Sequence, residues 1–197
     1  MNPKIDLSQT LIKTKRLVLR PWTKEDLEDF FAYASVDGVG QMAGWLPHQN
    51  KEETLKILEL FINEKKTLAI EYLGKVIGSI GVEPYNEKLY PDLTKKKVRE
   101  LGYVLSKDYW GQGLMPEAVE AIMDYLFEQI QLDALLCGHF LKNHQSQRVQ
   151  EKCGFKHYAY GKYQTYYGII EENEMNILTK EDYEKQKKDL HKIKCNL

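Results

Sequence analysis

Two glycines lie where a predicted strand gives way to a predicted amphipathic helix, in the segment Trp110-Gly111-Gln112-Gly113-Leu114-Met115. Glycine lets the backbone turn tightly and approach a ligand closely, and the first turn of a helix leaves amide N–H groups without partners. Those amides, together with the helix dipole, suit a pyrophosphate. The same spacing also occurs in turns that bind nothing, so the motif taken alone is a weak signal.

The composition favours a small-molecule ligand. The 197 residues are enough for one domain with a sizeable core. Lys and Arg number 28 against 29 Asp and Glu, and the formal net charge of -1 gives no general attraction to nucleic acid or to an anionic membrane. No run of about 18 apolar residues is present, so we expect neither a signal peptide nor a membrane span. We predict no nucleic-acid partner and no membrane partner.

The cysteines and histidines favour a cytoplasmic protein without a metal site. Cys137, Cys153 and Cys195 are odd in number, widely spaced and form no C-x-x-C pair, which argues against a disulfide framework or a thiolate zinc site. His139 and His144 do not have the i, i+4 spacing of a helical metal pair. We interpret Cys153 as a small packing residue and expect no metal.

Strands and helices alternate along the chain without a regular βαβ repeat. In chain order, the predicted elements are a strand at 16–20, a helix capped by Thr23, a helix at 50–64, a hairpin of strands 67–73 and 76–82 about a Gly74-Lys75 turn, a strand at 99–106, a helix beginning near Leu114, a strand at 134–140, a helix at 144–153, strands at 155–163 and 174–178, and a helix capped by Thr179. This order predicts an α/β (α+β) fold with a mixed sheet, and not a doubly wound parallel sheet.

Three ordered motifs surround the glycine turn. They are Glu100-Leu-Gly-Tyr-Val-Leu, then Trp-Gly-x-Gly-x-x-x-Glu-Ala from Trp110, then Asn-x-x-Ser-x-x-Val-x-x-Lys-x-Gly-Phe from Asn143. Together with the Thr-Lys-Arg-Leu-Val-Leu-Arg-Pro opening from Thr14, they resemble the GNAT superfamily of acetyl-CoA-dependent N-acetyltransferases, and more narrowly its ribosomal-protein-N-terminal type. The resemblance predicts a domain over residues 14–183, followed by a charged helical tail over 184–197.

The resemblance implies a twisted, mostly antiparallel sheet flanked by helices. In that fold the fourth strand (99–106) and the fifth (134–140) splay apart, and the pantetheine arm of acetyl-CoA enters the gap as a pseudo-strand. The pyrophosphate then lies on the amides of residues 111–115. The cofactor-binding residues expected on this basis are Tyr103, Val104, Leu105, Trp110, Gly111, Gln112, Gly113, Leu114, Met115, Asn143 and Ser146.

The implied reaction is direct attack of a neutral primary amine on the acetyl carbon, through a tetrahedral intermediate. A backbone N–H of Tyr103 or Val104 would stabilise the oxyanion. Many members protonate the leaving thiolate with a Tyr seven residues after the Asn, and this chain has Gln150 there, which cannot supply a proton. Ser146 is the expected substitute donor, and Glu100, acting directly or through water, is the expected base.

Several of these residues also have an ordinary structural interpretation. Ser146 could cap a helix, and Glu100 could be an exposed strand residue paired with Lys or Arg. Met115 stands where many members have Gly or Ala, so its side chain must turn away for the phosphates to approach its amide.

The acceptor is expected in an aromatic-lined pocket. Trp45-Leu46-Pro47 and Tyr163, Tyr166 and Tyr167 lie where the family builds it, although these residues could equally be core aromatics. A peptide N-terminus is one acceptor class, and aminoglycosides, polyamines and small metabolite amines are others. The protein could be a monomer or a homodimer.

Two other functions compete with this interpretation. A dinucleotide-dependent oxidoreductase would also use Gly111-x-Gly113, but Pro116 stands in place of the third glycine, and a hairpin lies upstream where a βαβ unit should begin. A non-catalytic acyl-CoA-binding module with the same fold is the alternative that Met115 and Gln150 leave open.

Overall fold

The structure is a computed structural model that describes residues 1–195, built around one eight-stranded sheet in the order β1-β2-β3-β4-β5-β6-β8-β7. The strands are β1 (Ile12–Lys13), β2 (Leu17–Pro21), β3 (Thr67–Tyr72), β4 (Lys75–Glu83), β5 (Val98–Leu105), β6 (Ala134–Phe140), β7 (Lys156–Gln164) and β8 (Ile170–Thr179), and the α-helices are α1 (Leu27–Ala34), α2 (Lys51–Glu64), α3 (Leu114–Glu128), α4 (His144–Lys152) and α5 (Lys180–Cys195). This confirms the mixed, mostly antiparallel sheet flanked by helices.

One strand pair divides the sheet. Neighbouring strands are antiparallel except β5 and β6, which run parallel and pair over Val98–Leu101 and Ala134–Cys137. Beyond that point β5 remains paired with β4 as far as Leu105, and β6 remains paired with β8 as far as Phe140. The carboxyl ends of β5 and β6 therefore separate. These are the predicted fourth and fifth strands, and their numbers shift by one because the short β1 precedes them.

The predicted hairpin is present, but its turn is one residue earlier than predicted. Tyr72 pairs with Lys75, so the two turn residues are Leu73 and Gly74, and not Gly74 and Lys75. Both turn residues have positive φ, 51° and 77°. Two positive values characterise the type I′ turn, whose twist matches that of the strands. Leu73 adopts a positive φ although its Cβ disfavours this conformation. The sequence therefore contains no sign that Leu73 is a turn residue, and the predicted turn was placed one residue too late.

Helices cover both faces of the sheet. On one face, α3 buries a stripe at helical spacing against β2, β4, β5 and β6, and this stripe comprises Leu114, Met115, Ala118, Val119, Ile122, Met123, Leu126 and Phe127. On the other face, α1 and α2 enclose a second cluster around Trp22, Phe30 and Leu58. Each such side chain contributes about 1.5–3 kcal/mol on burial. These two cores hold β5 rigidly while its outer end stays open.

Side-chain caps fix two of the helix starts that the sequence predicted. The Asn50 side chain accepts a hydrogen bond from the Glu53 amide (2.9 Å), and Thr179 Oγ1 accepts one from the Asp182 amide (3.1 Å). The helix that Thr179 opens packs against α3, because Tyr183 stacks on Phe127 of α3 with ring centroids 4.6 Å apart. Among the described helices, none is both long and apolar enough to cross a membrane.

Candidate active site

A cleft of about 1130 Å³ opens where β5 and β6 separate. Its floor is the carboxyl end of β5, and one wall is formed by Gly138–Phe140 of β6 with the first turn of α4. The segment 109–116 lines one end, except for the predicted Gln112, and the loop 39–48 and the β7–β8 connection line the other. The three motifs found in the sequence therefore meet in a single cavity.

The peptide groups of β5 alternate between β4 and the cleft. The Val104 carbonyl points toward β4, where a Cβ on Gly78 would collide with it, and the Ser106 amide donates to the Ile77 carbonyl (2.7 Å). By alternation, the peptide groups of Tyr103 and Leu105 face the cleft. The Leu105 carbonyl accepts a hydrogen bond from Trp110 Nε1 (2.8 Å). The amides of Tyr103 and Leu105 thus remain available to an extended ligand, while Val104 contributes its side chain.

The glycine turn has the geometry that an anion site requires. Gly111 and Gly113 have φ of 76° and 72°, and nothing lies within 4 Å of a Cβ placed on Gly111. Gly113 precedes α3, whose first amides, on Leu114 and Met115, have no carbonyl one turn earlier to bond. The Met115 side chain is 5% exposed and packs in the core, so its backbone can approach a phosphate.

An ion pair that the sequence reasoning did not identify holds this turn in place. Arg16 Nε binds Glu117 Oε2 (2.6 Å), and Arg16 Nη1 donates to the Gln112 carbonyl (2.9 Å). Thr14 Oγ1 donates to Glu117 Oε1 (2.6 Å). Residues about one hundred positions apart are joined here, and spacing along the chain gave no indication of the contact. The charges of Arg16 and Glu117 are paired with each other, so we interpret this contact as one that positions the glycine turn.

The start of α4 separates the roles of Asn143 and Ser146. Asn143 Oδ1 accepts the Ser146 amide (3.0 Å), so Asn143 caps the helix and Ser146 does not. Asn143 Nδ2 donates to the Met42 carbonyl (3.2 Å), which ties α4 to the loop opposite. The Ser146 hydroxyl lines the cleft 3.0 Å from the Tyr103 hydroxyl and 3.2 Å from Gln150 Nε2.

Glu100 lies near the base of the split, where β5 is still paired with both neighbours. It is opposite Glu83 on β4 and Leu136 on β6, and it lines the cleft. Burial, reinforced by repulsion from Glu83, raises the pKa of the Glu100 carboxyl to about 7. A carboxyl group with that pKa is half ionised at neutral pH and can accept a proton there.

The predicted aromatic residues meet at the far end of the cleft. Trp45, Leu46, Tyr163, Tyr166 and Tyr167 line it, whereas Pro47 does not. The two segments touch, because the Tyr166 amide donates to the Gly44 carbonyl (2.9 Å).

Sequence reasoning missed further lining residues there. They are Phe30, Tyr33, Met42, His48, Glu83, His139, Phe140 and Asn173. These residues come from five separate segments, α1, the loop 39–48, β4, β6 and β8, and only the tertiary fold brings them together.

The buried thiols and the histidines add no second chemistry. Cys153 is 2% exposed and contacts the Pro116 carbonyl, and burial raises the pKa of its thiol to about 12, so it is not a thiolate at neutral pH. Within residues 1–195, no three His, Cys, Asp or Glu side chains group closely enough to hold a metal ion.

Comparisons with known proteins point to one family. The family model described as acetyltransferase (GNAT) domain matches residues 16–156. The uncharacterized N-acetyltransferase YoaA of Bacillus subtilis (strain 168) is 27% identical over 153 residues, which cover 74% of this chain and 82% of that protein.

Solved structures share the fold. An acetyltransferase (GNAT family) from Bacillus anthracis matches with a TM-score of 0.76 at 21% identity, over 87% of this chain and 99% of that one. The microcin C7 self immunity acetyltransferase MccE, solved in complex with acetyl-CoA and AMP, matches with a TM-score of 0.71 at 16% identity, over 88% of this chain and 98% of that one.

Proposed function

Because the chain belongs to the acetyltransferase (GNAT) family, we propose that it transfers the acetyl group of acetyl-CoA directly to a primary amine. The observation that carries the proposal is the split between β5 and β6, which leaves the amides of Tyr103 and Leu105 facing a cleft with Glu100 at its base. The residues present fit acetyl-CoA, since the unpaired strand edge suits the pantetheine amides and the Gly111–Met115 turn suits the pyrophosphate. MccE, which has this fold, binds acetyl-CoA in its crystal.

We assign one residue to each step of the transfer. Glu100, ionised, takes a proton from the ammonium form of the acceptor, directly or through water, which frees the nitrogen lone pair. The nitrogen bonds to the acetyl carbon while the carbonyl electron pair moves to oxygen, toward the Tyr103 amide. The oxyanion electron pair then returns to re-form the carbonyl, and the carbon–sulfur bond breaks with its electron pair going to sulfur. The nitrogen loses its extra proton to water as the amide forms, and the Ser146 hydroxyl donates a hydrogen bond to the thiolate. No covalent intermediate with the enzyme forms.

The acceptor is a cationic amine attached to an apolar or aromatic body. Glu100 supplies negative charge on one side of the acceptor end, beside a Glu83 carboxylate that is paired with Lys66 (2.6 Å), and Trp45, Phe140 and Tyr163 supply aromatic surface on the other. The N-terminus of a protein or peptide, as in the ribosomal-protein-N-terminal type, fits this description best among the acceptor classes. Polyamines and aminoglycosides are the alternatives. We place the reaction in the cytoplasm, on the evidence of the cysteine usage.

A turnover screen tests this function. Purified protein is mixed with acetyl-CoA and with peptides, polyamines, aminoglycosides or small metabolite amines, and release of free thiol is followed. We expect amine-dependent release with at least one class, and the acetylated amine is identified by mass spectrometry. Tight acetyl-CoA binding without amine-stimulated release from any class would instead support the non-catalytic module.

A further inference from the structure

A buried chain of polar side chains leads from β8 to the Ser146 hydroxyl. Asn176 Nδ2 donates to Gln150 Oε1 (2.8 Å), and Gln150 Nε2 donates to the Gly138 carbonyl (3.2 Å) and to Ser146 Oγ (3.2 Å). Gln150 is 1% exposed and Asn176 7% exposed. Buried polar side chains cost free energy unless they are paired, and here both polar atoms of the Gln150 amide are paired.

The direction of every hydrogen bond in this chain is fixed. A backbone carbonyl can only accept, so the atom of Gln150 that faces Gly138 must be its nitrogen. The same nitrogen therefore faces Ser146, and the oxygen faces Asn176, which must donate. Ser146 Oγ is consequently an acceptor toward Gln150, whichever way its own hydrogen points.

Tyr103 approaches the same oxygen from β5. Its hydroxyl lies 3.0 Å from Ser146 Oγ and 3.3 Å from the Ser146 carbonyl. Burial raises the pKa of Tyr103 well above its usual value, so the phenol keeps its proton and remains a donor. Because Gln150 donates to Ser146 Oγ, and the one hydrogen of the Tyr103 hydroxyl is shared between two Ser146 oxygens, the Ser146 hydrogen points away from Gln150, toward Tyr103 or into the cleft.

We infer that Gln150, fixed by Asn176, is a positioning residue that makes Ser146 a hydrogen-bond donor toward the departing sulfur. The inference rests on the proposed function, since it assigns a partner to the donor named there. It also gives a role to Gln150, whose amide cannot supply a proton: the proton-bearing group is Ser146, and Gln150 sets the direction of its hydrogen bond.

A double-mutant cycle tests whether Gln150 acts through Ser146. Gln150→Met keeps the length of the side chain but removes its donor, and we expect kcat to fall about tenfold with the Kd for acetyl-CoA unchanged. Combined with Ser146→Ala, Gln150→Met should lower kcat no further. An equal loss in both backgrounds would overturn the inference, because a purely structural role is additive.

A second variant tests direction and does not depend on the first. In Gln150→Glu the protonated carboxyl group can still donate to Ser146, whereas the ionised one accepts from it and draws its hydrogen away from the cleft. The ratio of variant to parent kcat should therefore fall as pH rises through the carboxyl pKa. The titratable side chains around this position, Tyr103, Cys137 and the His157–Glu174 pair, are present in both proteins and cancel in the ratio.

Gln147→Glu is the matched control, because it makes the same change on the outer face of α4, where Gln147 contacts Glu151. The ratio of the Gln147→Glu kcat to the parent kcat should not vary with pH. A ratio for Gln150→Glu as flat as that of Gln147→Glu would overturn the inference. Amine-dependent turnover by the parent, together with a kcat loss in Ser146→Ala, would leave the proposed function standing in that case.

Discussion

The chemistry of the site depends on the surroundings of single residues. A base for an amine at neutral pH works best when its pKa lies near the working pH. Glu100 meets that condition because β5 and its neighbours bury the carboxyl and Glu83 lies across the strand pair. In water the same carboxyl group would keep its ordinary pKa, and beside a lysine its pKa would be lower, so Glu100 owes its raised pKa to burial in the sheet beside Glu83 of β4.

Replacing Glu100 by Gln tests the base directly. In the parent, kcat/KM should rise with pH through about 7, because only the ionised carboxyl accepts a proton. Glu100→Gln should lack that limb and lose about 100-fold in kcat/KM at pH 8, the lower end of what a general base contributes. Glu184→Gln, an exposed change on α5, is the control and should keep the parent profile. A variant whose pH profile matches the parent would remove Glu100 from the mechanism.

The same change should affect stability in the opposite direction. Since folding raises the Glu100 pKa from 4.5 to about 7, the folded state binds the proton more tightly, and the free energy of unfolding falls as pH rises between those values. The Gln side chain is neutral at every pH, so the stability of the variant does not fall in this way. We expect Glu100→Gln to have a higher Tm than the parent at pH 8 and a similar Tm at pH 4. If the difference in Tm between the parent and the variant did not change with pH, the raised pKa of Glu100 would be contradicted.

The sequence was informative about which residues matter and much less so about how they are paired. Glu100, Ser146 and the two glycines could be identified from residue type and spacing, and the structure places all of them around one cleft. The contact between Gln150 and Asn176 joins positions 26 residues apart on different elements. No local pattern encodes such a contact, because it exists only once β6, β8 and α4 have packed.

Among the elements, the turn between β5 and α3 is where backbone conformation and ligand binding coincide. Gly111 and Gly74 have almost the same φ, 76° and 77°, and a Cβ on either would meet nothing within 4 Å. They differ in location, since Gly111 lines the cleft, whereas Gly74 lies in the β3–β4 hairpin and does not line it. This pair allows the backbone cost of a substitution to be separated from its effect on a ligand.

Gly111→Ala and Gly74→Ala should destabilise the protein equally and bind acetyl-CoA differently. Each places a Cβ in the left-handed region, at a cost of about 1 kcal/mol. Only Gly111→Ala puts a methyl group where the pyrophosphate is proposed to lie, and loss of one hydrogen bond to a charged group weakens binding about tenfold or more. Thermal unfolding and calorimetric titration give the two quantities. Equal Kd values for the two variants would move the phosphate site away from this turn.

Periodicity predicted the elements well where tertiary contacts agreed with local preference. The strand at 134–140 has the predicted bounds, and α3 begins at the predicted Leu114. The β3–β4 turn was misplaced because glycine is the usual signal for positive φ, and here Leu73 shares that conformation. Packing of β3 and β4 fixes their register, and that register requires Leu73 to adopt a positive φ.

At the scale of the whole molecule, the sheet consists of two halves joined at one end. Strands β1 to β5 and strands β6 to β8 meet through the registered pairs of Val98–Leu101 with Ala134–Cys137. The order of the last three strands, with β8 between β6 and β7, had no signal in the sequence, because it depends on which edge the final hairpin joins. Beyond Leu101 the halves diverge, and a ligand with strand-like amides can pair with the exposed edge.

Hydrogen exchange should show acetyl-CoA occupying that gap. The amides of Tyr103 and Leu105 face the cleft, whereas that of Val104 points toward β4, so ligand pairing should protect the first two and leave the third unchanged. Protection at residue resolution, measured by NMR with and without acetyl-CoA, should therefore alternate along β5. Binding also stabilises the folded state by mass action, by about 2.7 kcal/mol at a ligand concentration one hundred times Kd. Uniform slowing across Gly102–Leu105 would indicate global stabilisation alone, and protection gained at Val104 but not at Tyr103 would contradict the pseudo-strand.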